Sequence, residues 1–305
     1  MPFSITILGS SGALPALGRF PSSQYINIDK HHFLVDAGEG TQIQLTRYGI
    51  SPQRIEAIFI SHLHGDHYLG LMGLLFSMHL NKRSNHLHVY AFKGLMEIIL
   101  LQLKYSKSAL SYSIIFHELE ENNPALIFES NTLTVTTIPL VHKIPCNGFI
   151  FKEKPKLRRI NKEKLPTDIL LQHIAQLKQG LDVTDESGKM LYKNTEHTLP
   201  PRISRSYAYC SDTAYSETII NPIKGVDVLY HEATFTTDDI GKAQDTLHST
   251  AREAATIAKK SGVKKLLIGH FSARYNSPDV LLEEARQTFS ETFLAHEGET
   301  FNIDE

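Results

Sequence analysis

Apolar residues along the chain fall into short runs, and most of these runs stop at a small, polar or turn residue. SITIL, QYINI and HFLVDAG read as strands, with turn residues at GSSGALP and DAGEG. GTQIQLTRYG then predicts a helix, AIFISH a buried strand, LGLMGLLFSMHL a helix with few polar positions, LHVYA a strand and KGLMEIILLQL another helix. A second strand-rich stretch follows in SIIFHELE, ALIFES, TLTVTTIPLVH and CNGFIFKEK, and later in SYAYCSD, VDVLYHEA and KKLLIGH. The last two precede helical patterns at STAREAATIAKKSG and SPDVLLEEARQTF. Two strand-rich halves that each carry helices predict two sheets face to face with helices outside, a four-layer αββα sandwich over residues 1–305. Residues 152–202 break the pattern: KEKPKLRRINKEKLP is basic, TDILLQHIAQLKQ is briefly amphipathic, and the remainder is turn-rich. That segment reads as an arm inserted into the domain.

A chain of 305 residues with 41% hydrophobic content can bury a large core. A net charge of −2 announces no nucleic-acid partner, so any such signal must be local. No apolar run reaches the roughly 18–20 residues of a membrane helix, and MPFSITILGSSG enters a strand pattern without a charged leader, so a cytoplasmic protein with no membrane partner is expected. Cys146 and Cys210 read as small buried apolar residues. Nine of the 16 histidines, at positions 31, 32, 79, 86, 88, 117, 173, 197 and 296, stand alone or in polar surroundings and are set aside.

The stretch SHLHGDH directly follows the run AIFI and offers His62, His64, Asp66 and His67 within six positions. Imidazole and carboxylate together suit a borderline divalent cation such as zinc, with other divalent ions possible. Three more candidates also follow apolar strands: His142 after TTIPLV, Asp212 after YAYCS and His270 after LLIG. Seven groups are too many for one tetrahedral ion. They suit two metals bridged by an aspartate.

These motifs, together with LGSSGALP, FLVDAGEGTQIQL, SDT at 211–213, HEATF at 231–235, HST at 248–250 and GHFSARY at 269–275, resemble the metallo-β-lactamase superfamily and, within it, the tRNase Z (ribonuclease Z) family. The resemblance implies a zinc-dependent endoribonuclease that removes the 3′ trailer of precursor tRNA and leaves a 3′-hydroxyl. It implies two Zn2+ per chain, one on His62, His64 and His142 and the other on Asp66, His67 and His270, with Asp212 between them. Asp66 inherits the role of proton acceptor, and His248 that of proton donor, oriented by Glu232. A homodimer, with one subunit's arm presenting tRNA to the other, is also implied. Without the resemblance, HST reads equally well as a surface histidine followed by a serine helix cap.

Within the inserted arm and beside it, Lys152, Lys154, Lys156, Arg158 and Arg159, with Arg274 of FSARY, are the candidate RNA-binding cations. An early loop reads Pro15, Ala16, Leu17, Gly18, Arg19, Phe20, where the family pattern is PxKxRN, and the arm lacks the family's Gly-Pro motif. A small-molecule phosphodiesterase on the same scaffold is the alternative activity.

Overall fold

The alternating apolar positions of Phe3–Gly9, Ser23–Ile28 and His31–Val35 produce an antiparallel meander in which Ile5 lies opposite Ile26 and Ile26 opposite Phe33. In the computed structural model, which describes residues 2–304, this meander continues into the parallel strands Ala57–Phe59, Leu87–Ala91 and Ile114–Glu118. The second sheet repeats the plan. Leu126–Glu129, Leu133–Pro139, Asn147–Glu153 and Ser206–Cys210 are antiparallel neighbours, and Val228–Glu232, Lys265–Gly269 and Thr292–Leu294 continue in parallel. Parallel neighbours need long crossovers. Helices Thr41–Arg47, Leu71–Leu80 and Leu95–Tyr105 supply them on the first sheet, and Ala251–Ser261 and Asp279–Arg286 on the second.

Three apolar layers hold the molecule together. Phe33, Phe59, Phe149, Phe151, Tyr207, Tyr209 and Tyr230 fill the space between the sheets. Leu45, Leu74, Leu75 and Ile99 pack the first helical layer onto its sheet, and Ala254, Ala255, Ala258 and Leu281 pack the second. The expected four-layer sandwich is the observed one. Elements that escaped the pattern reading include the helix Ile240–Thr246, the strand Thr292–Leu294 and the three-residue strand Thr300–Asn302, the last of which pairs with Phe3–Gly9. That strand has exposed ends and no apolar alternation, so its strand conformation comes from its partner. No helix among the described residues is long and apolar enough to cross a membrane.

The basic segment leaves the second sheet after Asn147–Glu153 and returns at Ser206–Cys210, which pairs antiparallel with the strand it left. Buried Glu153 and Arg205 close the neck through a contact of 2.7 Å between Arg205 Nη2 and Glu153 Oε1. Beyond the neck lie the strand pairs Arg159–Ile160 with Thr198–Leu199 and Val183–Thr184 with Met190–Tyr192, and the helix Leu171–Lys178. The boundary therefore falls inside the expected one at the start and beyond it at the end. Lys152 belongs to the sheet.

Candidate metal centre

The same local event recurs along the chain: an apolar strand ends, and the next one to three residues carry a ligand-type side chain. Asp36 follows His31–Val35, His62 follows Ala57–Phe59, His142 follows Leu133–Pro139, Asp212 follows Ser206–Cys210 and His270 follows Lys265–Gly269. The packed sheets bring these ends to one edge. Gly65 opens a single helical turn, Gly65–Tyr68, that carries Asp66 and His67.

All seven expected ligands converge into two groups that share Asp212: His62, His64, His142 and Asp212, and Asp66, His67, Asp212 and His270. In the first, His64 Nδ1 lies 3.1 Å from both His62 Nε2 and His142 Nε2, and Asp212 Oδ2 lies 3.6 and 3.8 Å from those two Nε2 atoms. In the second, Asp212 Oδ1 lies 3.3 Å from His67 Nε2 and 3.2 Å from His270 Nε2, with Asp66 Oδ2 at 3.4 and 3.3 Å from the same nitrogens. Tetrahedral ligands at about 2.0–2.1 Å from an ion stand about 3.3–3.4 Å apart. The observed spacings bracket that value, and each oxygen of Asp212 faces a different group.

Two further observations test the fit. His67 Nε2 is buried without a hydrogen-bond partner, although its Nδ1 is held at 2.8 Å by Asp36 Oδ2. Histidines that bind metals are commonly fixed in this way by a carboxylate behind the ring. Burial opposes charge on His67, yet Asp212, Asp36 and Asp66 outweigh it and lift its pKa well above the ordinary value. A pocket that draws a proton so strongly would draw a metal cation for the same reason. Burial, reinforced on His62 by His67, holds His62, His64 and His142 below the usual imidazole range, leaving neutral rings able to ligate. Burial alone would raise the Asp66 carboxyl, but the charge of His67, together with the hydrogen bond and charge of His270, holds it far below the carboxylate range.

The rings are aimed from behind. His142 Nδ1 donates to the Leu247 carbonyl at 3.1 Å, and His270 Nδ1 donates to Thr234 Oγ1 at 2.8 Å. Thr234 Oγ1 in turn donates to Glu232 Oε2 at 2.6 Å, and Glu232 Oε1 receives His248 Nδ1 at 2.8 Å. One fully buried carboxylate thus orients both His248 and His270. Burial would lower the His248 pKa, but the charge and hydrogen bond of Glu232 push it up to about 9. His248 Nε2 lies 4.0 Å from Asp212 Oδ2.

Sequence reasoning missed Asp36, Thr234 and the Leu247 carbonyl. Asp36 carried the strand-end signal, and its left-handed φ of 56° at a fully buried position marks it as over-determined by its surroundings. The nine histidines set aside stay out of the cluster. The helix cap after HST is Thr250, in a capping box with Glu253, whereas Ser249 donates to the Thr213 carbonyl at 2.7 Å.

The basic residues are less free than their composition suggests. Lys154 pairs with Glu129 at 2.6 Å, Lys156 with Glu153 at 2.9 Å, and Arg158 Nε donates to Thr198 Oγ1 at 2.7 Å. Lys152 and Arg159 are exposed, although Arg159 Nε donates to the Pro200 carbonyl at 3.1 Å. Arg274 pairs with Asp239 at 3.0 Å and lies 5.0 Å over the Phe235 ring, which itself stands 6.2 Å from His248.

Residues 3–158 match the family described as Anti-Pycsar protein Apyc1. Over 303 residues the chain is 48% identical to ribonuclease Z of Cytophaga hutchinsonii, covering 99% of this chain and 97% of that protein. It is 42% identical to ribonuclease Z of Bacteroides fragilis, covering 97% of each. The crystal structure of human tRNase Z, short form, superposes with a TM-score of 0.73 at 26% identity, covering 99% of this chain and 100% of that one. Through its first half the chain belongs with the Apyc1 family, and over its full length it belongs to the ribonuclease Z family.

Proposed function

We propose that this chain is a zinc-dependent endoribonuclease that removes the 3′ trailer from precursor tRNA in the cytoplasm, leaving a 3′-hydroxyl on the tRNA. The observation that carries the reading is the pair of ligand groups joined by the two oxygens of Asp212. His62, His64 and His142 would hold one ion, Asp66, His67 and His270 the other, and Asp212 both. Bound there, two divalent cations lower the pKa of a water and neutralise charge on the phosphoryl oxygens. Asp66 accepts a hydrogen bond from the Ala13 N–H at 2.8 Å on its Oδ2, which fixes the carboxylate, and Asp66 would take the proton of the attacking water. His248 gives the Nε2 proton to the departing ribose oxygen, while Glu232 holds Nδ1 and stabilises the imidazolium beforehand. Arg274, one ring away from His248 and paired with Asp239, would meet a phosphate of the acceptor strand.

The segment between Glu153 and Ser206 would serve as the tRNA-gripping arm, in which Arg159 is exposed and Lys154, Lys156 and Arg158 are partly committed to internal partners, with exposed Lys152 beside it on the sheet. In a homodimer each arm would serve the neighbouring subunit. Ile43, Leu69, Leu101 and Tyr105, on or beside the helices of the first layer, are exposed apolar side chains that such an association would cover.

The test compares precursor tRNA with a chromogenic phosphodiester. Replacing residues 155–203 by a short Gly/Ser bridge keeps the Glu153–Arg205 neck and all seven candidate ligands. Hydrolysis of the small diester should persist, cleavage of precursor tRNA should fall steeply through weaker binding, and the salt dependence of residual binding should become shallower. Undiminished processing of precursor tRNA by the shortened enzyme would count against the arm. Turnover of the diester alone by the intact enzyme would favour a small-molecule phosphodiesterase.

A further inference from the structure

The loop at residues 10–20 touches the candidate ligands Asp66 and His270 at its tip and is closed at its base by the Glu297 carboxylate. At the base, Ser10 N and Ser11 N both donate to the Phe20 carbonyl at 2.9 Å. Glu297 Oε1 accepts Phe20 N at 2.6 Å and is also approached by Ser10 N at 3.3 Å and Ser10 Oγ at 3.4 Å. Its other oxygen receives Nε2 of fully buried Gln44 at 2.9 Å, and that same nitrogen donates to the Leu8 carbonyl at 2.7 Å. A single side chain therefore joins both ends of the loop to the body of the first sheet. At the tip, Gly12 N donates to the Phe271 carbonyl at 3.0 Å and Ala13 N donates to Asp66 Oδ2 at 2.8 Å. Contact there is tight. A β-carbon on Gly12 would sit 2.7 Å from Cε1 and 2.8 Å from Nδ1 of His270.

We infer that Glu297 is a positioning residue for hydrolysis: by clamping the base of the 10–20 loop, it holds the Ala13 N–H against Asp66 and the Gly12 backbone against the His270 ring. It touches neither substrate nor ligands. Asp66 and His270 belong to only one of the two ligand groups, so disturbing the clamp acts on one ion and spares the His62, His64 and His142 group. The inference rests on the reading of this cluster as a hydrolytic two-ion centre.

The experiment uses the full-length protein loaded with zinc, with Glu297→Ala, Glu297→Gln and Gly12→Ala variants, and reads zinc retention against a graded chelator, kcat and KM on a chromogenic phosphodiester, and Tm. Glu297→Ala should weaken one of the two zinc ions by the roughly 10–100-fold seen when an outer-shell partner is lost, and lower kcat with KM nearly constant. Glu297→Gln keeps an acceptor for Phe20 and Ser10 but turns a donor against Gln44 Nε2, so it should restore part of both. Gly12→Ala should weaken the same ion from the opposite end of the loop. The inference is overturned if Glu297→Ala keeps wild-type zinc retention and kcat, if both ions weaken together as Tm falls, or if Glu297→Gln is as impaired as Glu297→Ala. A wild-type protein that holds fewer than two zinc ions or fails to turn over the diester would overturn the hydrolytic reading itself, a result distinct from these.

Discussion

Asp212→Ala should abolish phosphodiester hydrolysis and strip the protein of at least one metal ion. Asp212 is 2% exposed, and its two oxygens face different ligand groups at 3.2–3.8 Å, so no other single residue serves both. Its loss should exceed the roughly 10–100-fold drop in metal affinity expected for an outer partner such as Asp36. Burial would raise the Asp212 carboxyl, but His270, His67 and His62 hold it well below the ordinary range. It therefore remains an anion across the working pH range, and no proton competes with a cation for it. Elemental analysis of the variant, with circular dichroism to establish folding, measures the effect. Two ions retained together with near-normal turnover would sink the bridging role.

Most of the site was legible because His62, His142, Asp212 and His270 follow runs of apolar residues that read as buried strands, while His64, Asp66 and His67 share one short motif with His62. His62 after AIFI and His270 after LLIG are examples in which the strand-end rule and the residue type agree. Asp36 obeys the same rule after HFLV, yet it sits in DAG, a sequence that also reads as an ordinary turn. Thr234 and the Leu247 carbonyl had no signature at all. A hydroxyl and a main-chain oxygen acquire their roles from His270 and His142, 36 and 105 residues away. The early loop shows the same limit: Glu297 and Phe20 are 277 positions apart, and nothing local to either reveals the bond.

Composition misled most where charge was concerned. The run around Lys154 to Arg159 signals a free cationic face, but the fold brings Glu129, Glu153 and Thr198 against three of its members. A lysine already paired at the surface contributes less net counterion release on binding RNA than its count suggests. The shape of the arm was readable from its turns. The availability of Lys154 and Arg158 depended on Glu129 and Thr198, 25 and 40 positions away.

His248→Ala should lower turnover of precursor tRNA by roughly the 10²–10⁴-fold typical of a lost general acid, with zinc content and RNA affinity nearly unchanged. His248 is absent from both Asp212-centred ligand groups, which is why metal content should survive. Its pKa near 9, set against burial by Glu232, means that the ring is protonated at neutral pH. As pH rises through that value the acid form is lost, so the rate on RNA should fall on the alkaline side. Cations bound nearby repel the imidazolium and move the limb to lower pH. Glu232→Gln removes the charge that raises the pKa and should shift this limb further toward acid, so the two variants separate the proton from its orienting partner. A phenolate leaving group needs little protonation, so a chromogenic diester should lose far less rate in His248→Ala and show a flatter alkaline limb. Equal losses on RNA and on the activated ester, or an unchanged alkaline limb on RNA, would show that His248 braces the site instead of supplying its proton.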